Sequence, residues 1–486
     1  MKKRIKQWLA SGVLLTSMAG VALPVQAAES AAGGADKYPY ADQEARIHEV
    51  MKKVMEEHLN DRLDIRQLTD GAIRGMLDET GDPYTTYFTE KEFEEFYNEL
   101  EGTFAGIGIY IQQQDDMLVI DSVYEGSAAE RAGLRSGDEI IAIDGKQMAG
   151  KPADQAAELM KGEPGSRITL AIKRGGQEQS ITVQREIMQY SPVDSMMLDN
   201  KIGYIALYTF SENSAEVFEK HLNKLKRDGM KGLILDLRDN GGGYLDASIA
   251  IADLFIDKGL IVNVKNRTGK QTEVAAKSGG TDVPLAVLVN EYTASASEVL
   301  AGALQDHKIG TLIGAKTFGK GVVQELRPLE KGGILKLTVE EYFSPKLRKI
   351  NGQGITPDII VEDSDAQLLK AITYLHGSTA LHLYPNGTAG VAGFSAGKTI
   401  AKKIGDKWFI ALRPFAGLYG YQIYWDNARQ QAVLHSGDTM RKYSTKNNTY
   451  VRNEKGVLWV ALDKLDSDFP SIYVEQRGNT ILVHVK

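Results

Sequence analysis

Two residues 25 positions apart, Ser295 and Lys320, carry the chemistry that this sequence suggests. Ser295 lies in Glu291-Tyr292-Thr293-Ala294-Ser295-Ala296-Ser297-Glu298, a run of small residues. A serine hydroxyl is a weak nucleophile until a neighbouring base takes its proton. Lys320 lies between Gly319 and Gly321 in a stretch flanked by apolar residues. A free lysine titrates near ~10.4 and is a poor base at neutral pH. Desolvation disfavours the charged amine and lowers that value by several units. A neutral Lys320 can then accept the serine proton, the Ser-Lys form of nucleophilic activation. Gln324, four residues on, can orient the amine by a hydrogen bond, on a helix or by another geometry. Spacing alone leaves two bland readings open: Ser295 as a helix cap and Lys320 as a surface lysine in a glycine-rich loop.

The elements that must position these residues are legible as strands and helices. Pro284-Leu285-Ala286-Val287-Leu288-Val289 reads as a buried strand, and the stretch after Ser295 has helical spacing. Glu298 sits where an acidic group favours a helix N-terminus. Ser295 thus falls at a strand-to-helix turn, where backbone N–H groups are unpaired. Gly203–Leu207 is a further strand, 214–225 an amphipathic helix, and 245–255 another helix. Between them, Leu235-Asp236-Leu237-Arg238-Asp239-Asn240-Gly241-Gly242-Gly243 runs from a strand into a glycine-rich turn. Such a turn can bind phosphate, but no GxxxxGK[ST] signature follows this strand. Its glycines can equally direct N–H groups at a developing oxyanion.

Upstream, residues 102–187 read as a small, mostly β module opened by Phe104-Ala105-Gly106-Ile107-Gly108-Ile109. Together with Gly137-Asp138-Glu139-Ile140-Ile141-Ala142-Ile143-Asp144-Gly145, this order resembles a PDZ domain. The resemblance implies that Gly106, Ile107 and Gly108 donate backbone N–H groups to a terminal carboxylate while the ligand adds as a strand. The plainer alternative is a structural β-barrel. Residues 42–100 are helical in pattern, with Ile47, Val50, Met51, Val54 and Met55 at 3–4 spacing. They read either as a helical pair packed on their own chain or as an exchange arm for a homodimer.

The N-terminus begins Met1-Lys2-Lys3-Arg4-Ile5-Lys6, followed by an apolar stretch to Val25 and a small-residue site at Val25-Gln26-Ala27. That is the pattern of a secretory signal cut after Ala27, with an uncleaved anchor as the alternative. Residues 28–40 are Ala/Gly/Ser-rich and read as a linker. The chain has 486 residues, 43% hydrophobic and 25% charged, enough for several domains. It has no cysteine, which excludes disulfides, thiol catalysis and cysteine-ligated metal. Its eight histidines form no metal-ligand spacing. Net charge is −7, but residues 386–486 carry 14 basic and 8 acidic groups, so the tail differs in sign from the body.

The serine, lysine and glycine motifs, with Tyr342-Phe343-Ser344-Pro345 and Gly354-Ile355-Thr356-Pro357-Asp358, are similar to the C-terminal processing (tail-specific) peptidases. The likeness runs from about residue 42 to 375, in the order helical arm, PDZ domain, protease core. It implies Ser295 as nucleophile, Lys320 as general base and Gln324 as support for the lysine. It also implies oxyanion donors from Ala296 and from Gly241 and Gly242. Asp306 matches an acidic position used by some members, and Lys161 a basic position near the contact of PDZ domain and protease. Thr293 stands where the family commonly has serine. Asn240-Gly241-Gly242-Gly243 replaces the commoner Asn-Pro-Gly-Gly, which loosens the loop without removing its donors. The core implied for residues 188–375 is a crotonase-like α/β sheet.

Residues 376–399 read as a linker around Pro385-Asn386-Gly387. In 400–486, Phe409-Ile410-Ala411-Leu412 and Ile423-Tyr424 recur as Trp459-Val460-Ala461-Leu462 and Ile472-Tyr473. This α+β accessory module is weakly similar to the copper amine oxidase N-terminal domain, without a copper-ligand cluster. Its positive charge suits anionic cell-wall polymers. The expectation is a multidomain α/β protein, exported or held at the cell envelope. It is expected to be a serine endopeptidase that recognises apolar C-terminal tails and needs no cofactor, metal or nucleic acid. The alternative is a catalytically idle PDZ scaffold at the envelope.

Overall fold

Strands covered on both faces read as near-continuous apolar runs, and Gly232–Asp236 and Leu285–Val289 are buried throughout. They lie side by side in parallel, Leu233 opposite Leu285 and Asp236 opposite Leu288. In this computed structural model the described residues are 40–114, 116–198, 201–277, 279–377, 381–384, 388–391, 394–436, 439–446, 449–454, 456–469, 472–477 and 480–485. The expected signal (residues 1–27), the linker up to residue 39 and Pro385-Asn386-Gly387 lie outside them. The described residues fall into two compact units, one holding 40–94, 266–268 and 322–340, the other the remainder.

In the first unit, helices Ala41–Glu57 and Ile65–Asp78 precede a short strand, Thr86–Phe88. That strand pairs antiparallel with the start of Ile334–Phe343, Thr86 opposite Lys336 and Phe88 opposite Ile334. Tyr87 is buried beneath it, and its hydroxyl donates to Asp70 Oδ1 at 3.0 Å. Arg74 reaches both carboxylate oxygens of Glu92 at 2.8 Å. Helix Ala41–Glu57 buries none of its side chains.

The second unit holds three parts. In residues 102–187, Ile109–Gln114, Met117–Val123, Glu139–Ile143, Arg167–Arg174 and Gln177–Gln184 form one antiparallel sheet in that order. Ile109–Gln114 is an edge. Helix Ala153–Met160 packs onto the same core as Ile107, Leu118 and Ile172. The Gly137-Asp138 turn is pinned because Arg174 forks onto the Asp138 carboxylate at 2.6 and 2.7 Å.

The central part is a six-stranded sheet in the order Val193–Leu198, Ile202–Leu207, Gly232–Asp236, Leu285–Val289, Gly310–Gly314, Ile359–Ile360. Only the first pair is antiparallel. Helix Ser214–Arg227 buries Phe218, Leu222 and Leu225, one stripe of an amphipathic pattern.

The third part differs from the sequence expectation in two ways. Residues 381–399 were expected as linker, but Leu381–Leu383, Thr388–Val391 and Phe394–Thr399 are strands, and Leu381–Leu383 pairs with Thr480–Val485. Their Gly/Ala/Ser-rich composition has low strand preference, and pairing with a partner distant in sequence overrides it. Second, Ile234, Leu288, Leu369, Ile372, Phe415, Val460 and Val483 belong to one continuous core. The module is therefore packed against the sheet rather than separated from it, through helix Ser364–His376. The internal repeat is a strand–helix–strand unit used twice: Lys407–Ala411, Leu412–Tyr419, Gln422–Asp426, then Val457–Ala461, Leu462–Asp468, Ile472–Arg477. The two leading strands pair antiparallel with Ile410 opposite Val460.

Candidate active site

Three neighbouring parallel strands end on the same side of the sheet and each hands over one part of the site. Open α/β sheets place ligands at these carboxyl ends. Gly232–Asp236 leads to the glycine loop, Leu285–Val289 to Ser295, and Gly310–Gly314 to Lys320.

Ser295 has φ 56° and ψ −120°, and helix Ala296–Asp306 begins at the next residue. A non-glycine residue in that region costs roughly 1–3 kcal/mol and persists only where its surroundings hold it. They do so through several bonds. Thr293 Oγ1 donates to the Leu237 carbonyl at 2.8 Å, so threonine performs the tie a serine hydroxyl would. The Ala294 N–H and the Ser297 hydroxyl both donate to the Asn240 carbonyl, at 3.0 and 2.9 Å.

Asn240 also shapes the glycine loop. Its Nδ2 donates to the Leu207 carbonyl at 2.7 Å, and its Oδ1 accepts the Gly242 N–H at 2.9 Å. Gly242 has φ 107°, and a Cβ there would lie 2.8 Å from Ser295 Cβ and 3.1 Å from the Ala296 nitrogen. Only glycine fits this approach. The N–H groups of Gly241 and Ala296 have no hydrogen-bond partner among the described residues.

The Lys320 loop is tied to the serine turn by Glu298. This fully buried carboxylate accepts the N–H of Ser295 at 3.0 Å, of Gly319 at 2.8 Å and of Lys320 at 2.8 Å, and the Thr317 hydroxyl. Burial pushes its pKa up, while bonds from Thr317, Gly319, Lys320 and Ser295 pull it back. Four donors fill its lone pairs, which fits the ionised form. Tyr342 closes the arrangement from the other side: its hydroxyl reaches the Ser295 carbonyl at 3.0 Å and also the Lys320 carbonyl.

Gln324 lies on the extended strand Val322–Pro328 of the first unit, so helical i+4 spacing from Lys320 does not apply. Its amide donates to Thr338 Oγ1 at 3.3 Å. Asp306 is bound by Arg348 at 2.6 Å and by the Lys346 N–H at 2.9 Å, an ion pair at the far end of its helix from Ser295. Lys161 pairs with Glu158 at 2.5 Å.

In the PDZ-like part, Gly106 ends the strand Thr103–Gly106 and Ile107 is buried in the core. Gly108 has φ 88°, and a Cβ there would lie 2.3 Å from Ser127 Cβ. The carbonyls of Ile107 and Gly108 accept the N–H of Ala129 and Tyr124, at 2.8 and 3.0 Å. Their own N–H groups have no partner among the described residues.

Sequence reasoning did not assign Asn240, Thr317 or Tyr342 a role, and read Glu298 only as favouring the helix start. The signal for Glu298 was present: Ser-x-x-Glu at a helix N-terminus is the capping-box spacing, in which the acid reaches back to the first N–H.

A serine on a strained strand-to-helix turn, next to a lysine loop and to N–H groups unpaired among the described residues, is the kind of arrangement that a serine hydrolase uses. Residues 201–361 match the model of peptidase family S41, 119–174 that of a PDZ domain, and 17–92 that of the activating protease CtpB N-terminal domain. The probable CtpA-like serine protease of Staphylococcus haemolyticus (strain JCSC1435) is 37% identical over 335 residues, covering 68% of this chain and 67% of the relative. That of Staphylococcus aureus (strain N315) is 36% identical over 325 residues, 66% of this chain and 65% of the relative. Among solved structures, the photosystem II D1 C-terminal processing protease aligns over 65% of this chain and 86% of its own, with 30% identity and TM-score 0.41. The chain belongs to peptidase family S41, as a CtpA-like serine-type endopeptidase with a PDZ domain.

Proposed function

We propose that this chain is an exported endopeptidase that grips apolar C-terminal tails through its PDZ domain and cleaves peptide bonds with a Ser295–Lys320 dyad. Ser295 Oγ attacks the scissile carbonyl carbon while Lys320 Nζ takes its proton. The oxyanion is met by the Ala296 N–H and by Gly242, which exchanges its bond to Asn240 Oδ1 for the substrate oxygen. Gly241, whose N–H is unpartnered among the described residues, is the alternative donor. Lys320 returns the proton to the leaving nitrogen as the C–N bond breaks, leaving an ester on Ser295. Water, deprotonated by Lys320, then hydrolyses that ester. Gln324 is retained as support for the amine on the family resemblance alone.

The observation that carries this reading is the Glu298 carboxylate, which holds the backbone of both Ser295 and Lys320. A helix cap and an unrelated surface lysine have no need of a shared buried anchor. Cleavage of an apolar-tailed protein that vanishes in Lys320→Ala tests the reading, and cleavage that survives refutes it.

The N-terminal pattern and the CtpA-like relatives support an extracytoplasmic place of action. A crotonase-like core accords with the parallel strands. Exposed Ile47, Val50 and Met55 on helix Ala41–Glu57 support a homodimer arm. The basic, twofold-repeated C-terminal module is read as copper amine oxidase N-terminal-like and as a contact for anionic cell-wall polymers.

A further inference from the structure

Beside the PDZ-like loop lies a cluster of aromatic rings that the proteolytic reading leaves unused. Tyr110 and Tyr124 have ring centroids 4.9 Å apart, Tyr124 and Tyr190 6.5 Å, and Tyr190 stacks on Phe104 at 4.3 Å. Tyr110 and Tyr190 are 50% and 45% exposed. The Tyr124 hydroxyl is buried and faces the Tyr110 hydroxyl, so Tyr110 and Tyr190 are the rings open to a ligand. Tyr208, at the end of strand Ile202–Leu207, donates to Asp194 Oδ2 at 3.2 Å. Burial holds the protons on the Tyr124 and Tyr208 hydroxyls, and the Asp194 charge adds to it at both.

The strand pleat says which ligand residue meets these rings. Ile109 and Ile111 face the PDZ core, whereas Tyr110 is on the opposite face of the edge strand. A tail that adds to this edge with its carboxylate on the Ile107 and Gly108 N–H groups puts its last side chain on the Ile109 face. The residue before it then falls on the Tyr110 face, because side chains alternate and cross-strand neighbours share a face.

Resting on that tail-binding reading, the geometry points to a subsite on the Tyr110 face for a lysine or arginine immediately before the terminal residue. The long aliphatic stem covers the exposed rings of Tyr110 and Tyr190, and the cation lies over their faces. Asp194 supplies the opposite charge. Of the cations nearby, Lys161, which acts on Tyr190, is paired with Glu158, and Arg131 is paired with Glu186. An acidic side chain would meet the Asp194 charge and is disfavoured.

The test uses the full chain carrying Ser295→Ala, to prevent turnover, and fluorescence anisotropy with labelled peptides. The peptides share one apolar terminal residue and differ only in lysine, methionine or glutamate before it. A fourth repeats the lysine peptide with an amidated terminus. Lysine is expected to bind about fivefold tighter than methionine, and glutamate weakest. Adding Tyr110→Ala or Asp194→Asn is expected to bring the lysine-to-methionine ratio toward one. Lysine binding no tighter than methionine, or a preference untouched by both variants, overturns the subsite. If amidation abolishes binding, tail capture stands whatever that ratio is. If amidation changes nothing, or no peptide binds, tail capture fails and the subsite with it.

Discussion

Glu298 accepts the backbone N–H of Lys320 at 2.8 Å, across 22 residues of sequence, while accepting the N–H of Ser295 at 3.0 Å. One buried carboxylate thus fixes the backbone at both residues on which the proposed chemistry depends. Replacing it by glutamine keeps the shape but turns one acceptor into a donor facing N–H groups. Glu298→Gln is expected to cost roughly 2–4 kcal/mol of stability, since buried donors lose their acceptor. Peptidase activity should fall at least about 100-fold while the chain still folds. Thermal unfolding and peptide hydrolysis measured together check this, and near-normal turnover in a folded Glu298→Gln chain would contradict it.

Two substitutions in the glycine loop distinguish the proposed oxyanion donors. Gly242→Ala forces a Cβ to within 2.8 Å of Ser295 Cβ at a φ of 107°, and should reduce kcat by about 100-fold or more. Gly241→Pro restores the residue common in the resembled family and removes only the Gly241 N–H. It should retain activity within a few fold if Gly242 and Ala296 are the donors. A kcat loss on Gly241→Pro as large as that on Gly242→Ala assigns the oxyanion to Gly241 instead.

The backbone that carries this candidate site was legible in the sequence because apolar runs mark the strands, and the small residues and glycines after them mark the turns. The strands Gly232–Asp236 and Leu285–Val289 and the helix from Ala296 follow directly from apolar runs and helical spacing. What was not legible were contacts between segments distant in sequence. Nothing local says that the Asn240 carbonyl takes donors from Ala294 and Ser297, or that Tyr342 reaches the Ser295 and Lys320 carbonyls. The strands within 381–399 escaped for the same reason, because their partner, Thr480–Val485, comes about 100 residues later.

Tyr342 offers a smaller effect of the same kind. Tyr342→Phe removes one hydroxyl that braces the two carbonyls and leaves the ring in the core. A loss of about 1 kcal/mol in stability is expected, with a fall in kcat that exceeds any change in KM. An effect confined to KM would argue that the hydroxyl does not brace the dyad.

Acid stability should report on the PDZ-like part. Burial raises the Asp138 carboxyl, but the Arg174 guanidinium and the Arg135 N–H outweigh it and hold its pKa below the ordinary value. A depressed folded pKa gives stability that is present above the unfolded value, near ~3.9, and lost as pH falls through the folded one. Asp138→Asn should therefore unfold more easily at neutral pH, and its stability should vary less with pH below about 4. Urea titrations at several pH values read both. An unchanged slope in acid would assign the loss to other carboxylates.

The measurement that bears most directly on the central claim is a time course of cleavage of an unstructured, apolar-tailed protein by the full chain. Ser295→Ala and Lys320→Ala are followed alongside, with folding verified by thermal unfolding. Cleavage by the parent chain and none by either folded variant is the predicted result. Cleavage that persists in Ser295→Ala or in Lys320→Ala would contradict a Ser295–Lys320 dyad.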